Sequence, residues 1–136
     1  MPGNPLVKNL KLAASARAAV VGAPPEYIAS LALPKGSRIT EKLEGAFDWI
    51  QLFVKTRAEL ERSIGQTARA LRPNGLLWIT FPKASSGIQT DLSRDKGWDP
   101  LKAHDLKWIT LVSVDASWSA FSLRPNKPGE PRQTFR

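Results

Sequence analysis

Residues 47–81 constrain this chain more than any other stretch. Phe47-Asp48-Trp49-Ile50-Gln51-Leu52-Phe53-Val54 and Leu76-Leu77-Trp78-Ile79-Thr80-Phe81 are near-continuous apolar runs, the pattern of parallel strands covered on both faces. Between them, Thr56-Arg57-Ala58-Glu59 is a capping box: the threonine accepts from the Glu59 N–H and the glutamate reaches back. Leu60, Ile64, Ala68 and Leu71 then recur at helical spacing and predict the buried stripe of a helix over 56–71. Gly65 weakens that helix and marks a place of close approach to the sheet. Arg72-Pro73-Asn74-Gly75 predicts a turn into the second strand. Strand, helix and parallel strand form a right-handed crossover.

The flanking sequence extends this unit in both directions. Val7, Leu10, Leu12 and Ala13 predict a short apolar segment packing on a sheet edge. Ala18-Ala19-Val20-Val21-Gly22 predicts a strand. Pro24-Pro25 opens a predicted helix through Leu33, stopped before Pro34, and Arg38-Ile39-Thr40 is a second, weaker strand. After Phe81, residues 82–87 are small and polar and predict a loop. A helical turn is expected within 90–96. Asp99-Pro100 caps a short helix through His104. Residues 106–114 and 118–123, joined by Asp115-Ala116-Ser117, predict an antiparallel hairpin. The expectation is one α/β, three-layer Rossmann-like domain over 1–124, its sheet mostly parallel with a C-terminal antiparallel hairpin. Pro125, Pro128, Gly129 and Pro131 predict that 125–136 is a basic, disordered tail.

Composition removes several chemistries. The 136 residues contain no cysteine and one histidine, His104. Disulfides, thiolate nucleophiles, thiolate metal sites and multi-histidine metal centres are therefore excluded within one chain. No metal site is expected. Asp91, Asp95 and Asp99 recur every four residues, but the interleaved Arg94 and Lys96 favour surface ion pairing over a cation. No apolar run reaches the roughly 20 residues that span a bilayer. Residues 1–5 lack the apolar core of a secretory signal, so no membrane association and a cytoplasmic location are expected. The net charge of +8 favours anionic partners, nucleic acid among them, but no block of five basic residues concentrates it.

The order of elements, with Phe47-Asp48-Trp49-Ile50 before the helix and Leu71-Arg72-Pro73-Asn74-Gly75 after it, resembles a trimmed class I S-adenosylmethionine-dependent methyltransferase. Gly22-Ala23-Pro24-Pro25-Glu26-Tyr27, residues 47–60, residues 76–95 and Asp115-Ala116-Ser117-Trp118-Ser119-Ala120 are similar to an uncharacterised family of short bacterial proteins with a degenerate form of that fold. The resemblance covers roughly residues 10–125 and implies a Rossmann-like fold without an established activity. Departures are concentrated at the first loop. Where methyltransferases carry a glycine-rich turn, this chain keeps Gly22 and follows it with Pro24 and Pro25, which offer no N–H. Glu41, about 20 residues beyond Gly22, is near the spacing of a ribose-binding acid, with an exposed loop glutamate as the better reading. Residues 42–46 leave no room for the family's usual third strand and its helix.

In open α/β sheets, ligands bind beyond the carboxyl ends of the strands. Residues 22–27, Lys55-Thr56 and residues 82–91 converge there. Gly22 and Tyr27 are candidate ligand-binding residues in the first loop. Lys83, Ser85, Ser86 and Gly87 form a candidate cradle for a phosphate or carboxylate in the third. No catalytic residue and no cofactor is assigned at this stage, and a polar loop satisfying its own backbone is the competing reading. Trp49, Trp78 and Trp108 read as core, and core or hairpin packing is the better reading for Trp98 and Trp118 too. The expectation is a non-catalytic module binding a small anion or a partner macromolecule. The alternatives are a minimal S-adenosylmethionine-dependent methyltransferase and a basic nucleic-acid accessory protein. An edge strand leaves homodimerisation open.

Overall fold

The computed structural model describes residues 9–31, 35–94 and 96–131. Six strands form a single sheet: β1 (Arg17–Val21), β2 (Arg38–Thr40), β3 (Phe47–Phe53), β4 (Leu71–Pro82), β5 (Leu106–Ser113) and β6 (Trp118–Pro125). Their spatial order is β2-β1-β3-β4-β6-β5. β2, β1, β3 and β4 run parallel, β6 is antiparallel to β4, and β5 closes the hairpin on the outer edge. The one full α-helix among the described residues, α1 (Arg57–Ala70), makes the crossover from β3 to β4.

The capping box forms as expected at the Thr56 end: Thr56 Oγ1 accepts from the Glu59 N–H at 3.1 Å. The returning Glu59 carboxylate accepts from the Lys55 N–H at 3.2 Å and from the Thr56 hydroxyl at 3.4 Å. The buried stripe is Leu60, Ile64, Thr67 and Ala70, so Ala68 is displaced from it. Thr67 is tolerated inside because its hydroxyl donates to the Ser63 carbonyl at 2.8 Å. The helix ends one residue before the predicted stop, and Leu71 begins β4. Residues 72–75 do not turn: they run extended within β4, with Leu71 already paired to Phe47. Gly65 faces the neighbouring turn rather than the sheet; a Cβ there would meet the His104 ring at 3.6 Å.

The two faces of the sheet are covered differently. One face packs Ile50, Leu52, Leu77, Ile79, Phe121 and Leu123 against α1 and against Trp98 and Leu101, around the 3-10 turn Asp99–Ala103. The opposite face carries Ala18, Val20, Trp49, Phe53, Trp78 and Ala120, and irregular chain covers it. Leu10 and Leu12 lie there, held by the Trp49 and Trp78 indoles, which both donate to the Leu10 carbonyl at 2.7 Å. Val7 lies outside the described residues. Over its described part the expected helix after Pro25 is reduced to a 3-10 turn at Ile28–Ser30, and residues 32 and 33 lie outside the described ones. Glu26 adopts a left-handed φ of 67°, which interrupts a right-handed helix at its first turn. Among the described residues no full α-helix covers this face, and the three-layer expectation becomes the coarser one: an α/β sheet, mostly parallel, with an antiparallel pair.

The remaining segments settle around this sheet. Residues 90–94 form no helix; Ser93 makes an isolated bridge to Lys96. Trp98 and Trp118 are both buried, as the packing reading expects. In the segment read as a tail, the Asn126 N–H donates to the Asp105 carbonyl, and Glu130 forms a two-point pair with Arg124 at 2.8 and 2.9 Å. Residues 132–136 lie outside the described ones. Among the described residues no helix is long and apolar enough to cross a membrane.

Candidate functional site

β1 and β3 are neighbours, yet the chain leaves β1 towards β2 and leaves β3 towards β4 on the other side. The carboxyl ends of β1 and β3 therefore flank the reversal of strand order, where open α/β sheets bind ligands. Gly22 sits at that point with φ 76°. A Cβ there would lie 2.9 Å from the Phe53 carbonyl oxygen, so only glycine lets the first loop press against the end of β3.

Beyond Gly22 the loop opens into a cleft of 480 Å³, shared by Ala23, Pro24, Pro25, Glu26, Ile28 and Glu41. Its volume falls in the range of small-molecule sites. Parallel pairing of β1 with β2, Ala19 opposite Thr40, is what brings Glu41 to the wall facing the loop. The first-loop side of the cleft is apolar apart from Glu26, and the other side carries the Glu41 carboxylate. The Tyr27 N–H turns back to the Pro24 carbonyl at 3.2 Å, which keeps the two prolines on the rim.

Tyr27 lies beneath this cleft rather than in it. Its hydroxyl donates to Gln51 Oε1 at 2.8 Å, and Gln51 Nε2 donates to Thr80 Oγ1 at 3.0 Å. This chain satisfies three polar side chains inside the sheet face, where an unpaired one would cost about 1–3 kcal/mol. Burial raises the Tyr27 phenol to about 12; the Gln51 hydrogen bond opposes the shift and the nearby Asp115 charge adds to it. At neutral pH the phenol is a fixed donor. The Tyr27 ring meets Phe53 edge-on at 4.8 Å, and Phe53 meets Trp118 at 5.1 Å. This aromatic row runs from the first loop to Trp118 at the start of β6, opposite Pro82 at the end of β4.

That third loop contains Lys83, Ser85, Ser86 and Gly87. The Lys83 N–H donates to the Ser117 carbonyl at 2.8 Å and its ammonium donates to Ser113 Oγ at 2.6 Å, tying the end of β4 to the hairpin. Ser85 is exposed on the 3-10 turn Ala84–Ser86. Ser86 Oγ accepts from the Ile88 N–H at 3.1 Å, and Gly87 takes a left-handed φ of 79° with open space around it. The six candidate residues thus divide. Gly22 and Tyr27 flank the cleft-lining residues in sequence without lining the cleft themselves, Lys83 binds Ser113 of the hairpin, and Ser86 accepts from the Ile88 N–H.

Lys55 and Thr56 are absorbed by the start of α1. The Arg57 N–H donates to Asp91 Oδ1 at 2.7 Å. The Arg57 guanidinium forms a two-point pair with Asp99 and also reaches Glu61 at 3.2 Å. Hydrogen bonding to Arg57 holds the Asp99 carboxyl below its usual range. Asp99 pairs with the Arg57 guanidinium, in line with surface ion pairing, whereas Asp91 accepts only from the Arg57 backbone N–H; Asp95 lies outside the described residues. Among the described residues, no three metal-ligating side chains gather.

Glu41 lines the cleft beside the first loop. Its spacing from Gly22 was the available signal, and the short β2 turns that spacing into proximity. Ile28 and Ala29 were hidden by the expectation of a helix there.

No family model matches this chain, and no characterised sequence relative does. Solved structures do match. The mitomycin 7-O-methyltransferase MmcR aligns with a TM-score of 0.64 at 14% identity, over 82% of this chain and 49% of that one. A TehB-like SAM-dependent methyltransferase from Corynebacterium glutamicum ATCC 13032 Kitasato gives 0.57 at 11% identity, over 90% and 86%. A SAM-dependent methyltransferase from Aquifex aeolicus gives 0.60 at 13% identity, over 88% and 87%. The chain spans about half of the first of these and most of the other two. At these identities the likeness establishes the fold: a Rossmann-like sheet of the class I methyltransferase type. It also corrects the expectation of a non-catalytic anion- or partner-binding module. The three structures named are methyltransferases, which favours the minimal methyltransferase instead.

Proposed function

We propose that this chain is a minimal S-adenosylmethionine-dependent methyltransferase whose cofactor lies in the cleft between residues 22–29 and Glu41. The observation that carries this reading is the meeting of the first loop and a carboxylate across the ends of two adjacent parallel strands. The donor set suits the nucleoside end of the cofactor. The Glu41 carboxylate accepts from the two ribose hydroxyls, and Pro24, Pro25 and Ile28 supply an apolar wall for the base. Gly22 lets the backbone come close. Pro24 and Pro25 give no N–H, so the amino-acid end is held by fewer backbone donors than a glycine-rich loop provides.

The bound cofactor supplies an electrophilic methyl group on a positively charged sulfur. The chain's own part is to orient that group and exclude water, since correct placement alone removes much of the barrier to a bimolecular transfer. Tyr27, neutral and anchored to Gln51, keeps the floor of the cleft rigid. Arg57, Asp91 and Asp99 are committed to one another and take no part.

The test is calorimetric titration with S-adenosylmethionine and its demethylated product, alongside thermal unfolding. Saturation at 100 times the dissociation constant should add about 2.7 kcal/mol of stability. Glu41→Ala should weaken binding by about tenfold or more, the loss of about 1.4 kcal/mol or more of charge-assisted hydrogen bonding. No stabilisation by either ligand at millimolar concentration would overturn the proposal.

A further inference from the structure

A second cleft, of 510 Å³, lies on the other side of β2. Ser15, Arg17, Gly36, Arg38, Thr40 and Phe47 are among the residues that line it. It occupies the helix-bearing face of the sheet beside β1 and β2, beyond the reach of α1. None of the groups assigned to the proposed cofactor lines it.

Its chemistry is set by strand register. Arg17 of β1 is the direct partner of Arg38 of β2, so two guanidinium-bearing side chains start from neighbouring positions. Like charges placed opposite each other on paired strands repel. Arg17 is held in place: its guanidinium donates to the Glu44 carbonyl at 2.5 Å and lies 4.9 Å from the centre of the Phe47 ring. Its backbone N–H donates to Asp48 Oδ2 at 2.9 Å, and Asp48 pairs in turn with Arg72 at 2.8 Å. Arg38 makes no ion pair with any described residue. Glu44 is the single acid in the lining. At the rim, Ser15 (φ 62°) and Gly36 (φ 76°) both adopt left-handed conformations, and a Cβ on Gly36 would lie 2.8 Å from Ser15 Oγ.

We propose that this cleft binds a small phosphate monoester. A tetrahedral dianion can accept from both guanidiniums at once and remove their repulsion, whereas a single planar carboxylate matches one arginine fork. The Ser15 hydroxyl adds a neutral donor at the rim. A bare phosphate would leave most of the cleft empty, so the ligand is an organic monoester with one charged end. This site stands independently of the cofactor cleft, because the two share no lining residue.

Calorimetric titration at constant ionic strength tests this, with phenyl phosphate as the monoester and dimethyl phosphate as a monoanionic diester. Saturable, one-to-one binding of phenyl phosphate is expected, at least about tenfold tighter than that of dimethyl phosphate. Arg38→Ala should weaken it by at least about tenfold, because an exposed residue is removed and one guanidinium is lost. The same variant should keep the wild-type unfolding temperature and its response to S-adenosylmethionine, which separates failure here from failure of the cofactor site. Lys83→Ala should leave phenyl phosphate binding unchanged. Equal binding of the diester, indifference to Arg38→Ala, or loss of binding in Lys83→Ala would each overturn the proposal, the last by placing the anion on the loop after β4.

Discussion

The two halves of the sheet are built to different standards. β3, β4 and β6 have 7, 12 and 8 residues, and α1 lies over the crossover that joins the first two. β1 and β2 have 5 and 3, with no α-helix described between them and none between β2 and β3. Both clefts lie at the short half. The difference teaches where stability and binding reside. The long half buries its apolar strands on both faces, whereas the short half, with no α-helix among the described residues between its strands, exposes loops and paired arginines.

This contrast is open to direct attack. The largest effect is expected from Leu60→Ala, which empties a fully buried position between α1 and the long half. It should cost about 2–5 kcal/mol in chemical denaturation while leaving the affinity of the folded protein for S-adenosylmethionine unchanged. A matching loss of affinity would show that the two halves are not separable.

Gly22→Ala comes next and sharpens the comparison from the other side. A left-handed backbone and a 2.9 Å approach to the Phe53 carbonyl make the substitution strained, at about 1–3 kcal/mol. The first loop must also move away from β3, so cofactor binding should fall more than stability does. Unchanged affinity with lowered stability would take Gly22 out of the site.

The smallest effect concerns the hairpin edge. Glu130 is held down to about 2, chiefly by the hydrogen bonds from Arg124, with the Lys127 N–H and the Lys107 charge adding to it. A carboxyl whose folded value lies below its unfolded one contributes stability above the unfolded value, near 4.5, and loses it as pH falls towards 2. Glu130→Gln should therefore leave a slightly less stable protein at pH 7 and a shallower loss of stability between pH 4.5 and 2. Acid unfolding curves of identical slope for the two proteins would remove the pair from the stability of the edge.

Much of the long half was legible because its signals are local or periodic. The apolar runs of β3 and β4, the Thr56 cap and the antiparallel hairpin all follow from residue type at short spacing. The errors share a cause. Residues 72–75 look like a turn, but pairing of Leu71 with Phe47 draws them into β4, a contact between residues far apart in the chain. The helix predicted after Pro25 yields because Tyr27 is drawn beneath the sheet to Gln51, which outweighs local helical preference. Ala68 gave way to Thr67 because an internal hydroxyl bond makes threonine acceptable in the core.

By itself the sequence determined the α/β class, the crossover at the centre, the lack of thiol and multi-histidine chemistry, and the glycine that the first loop requires. Each of these depends on residue identity, or on spacing within one element. Only the tertiary structure decided that Glu41 faces the first loop, that Arg17 lies beside Arg38, and that Lys83 binds the hairpin instead of standing free. Those are matters of register between strands, and register is set by the packing of both sheet faces at once, which no single stretch of chain encodes.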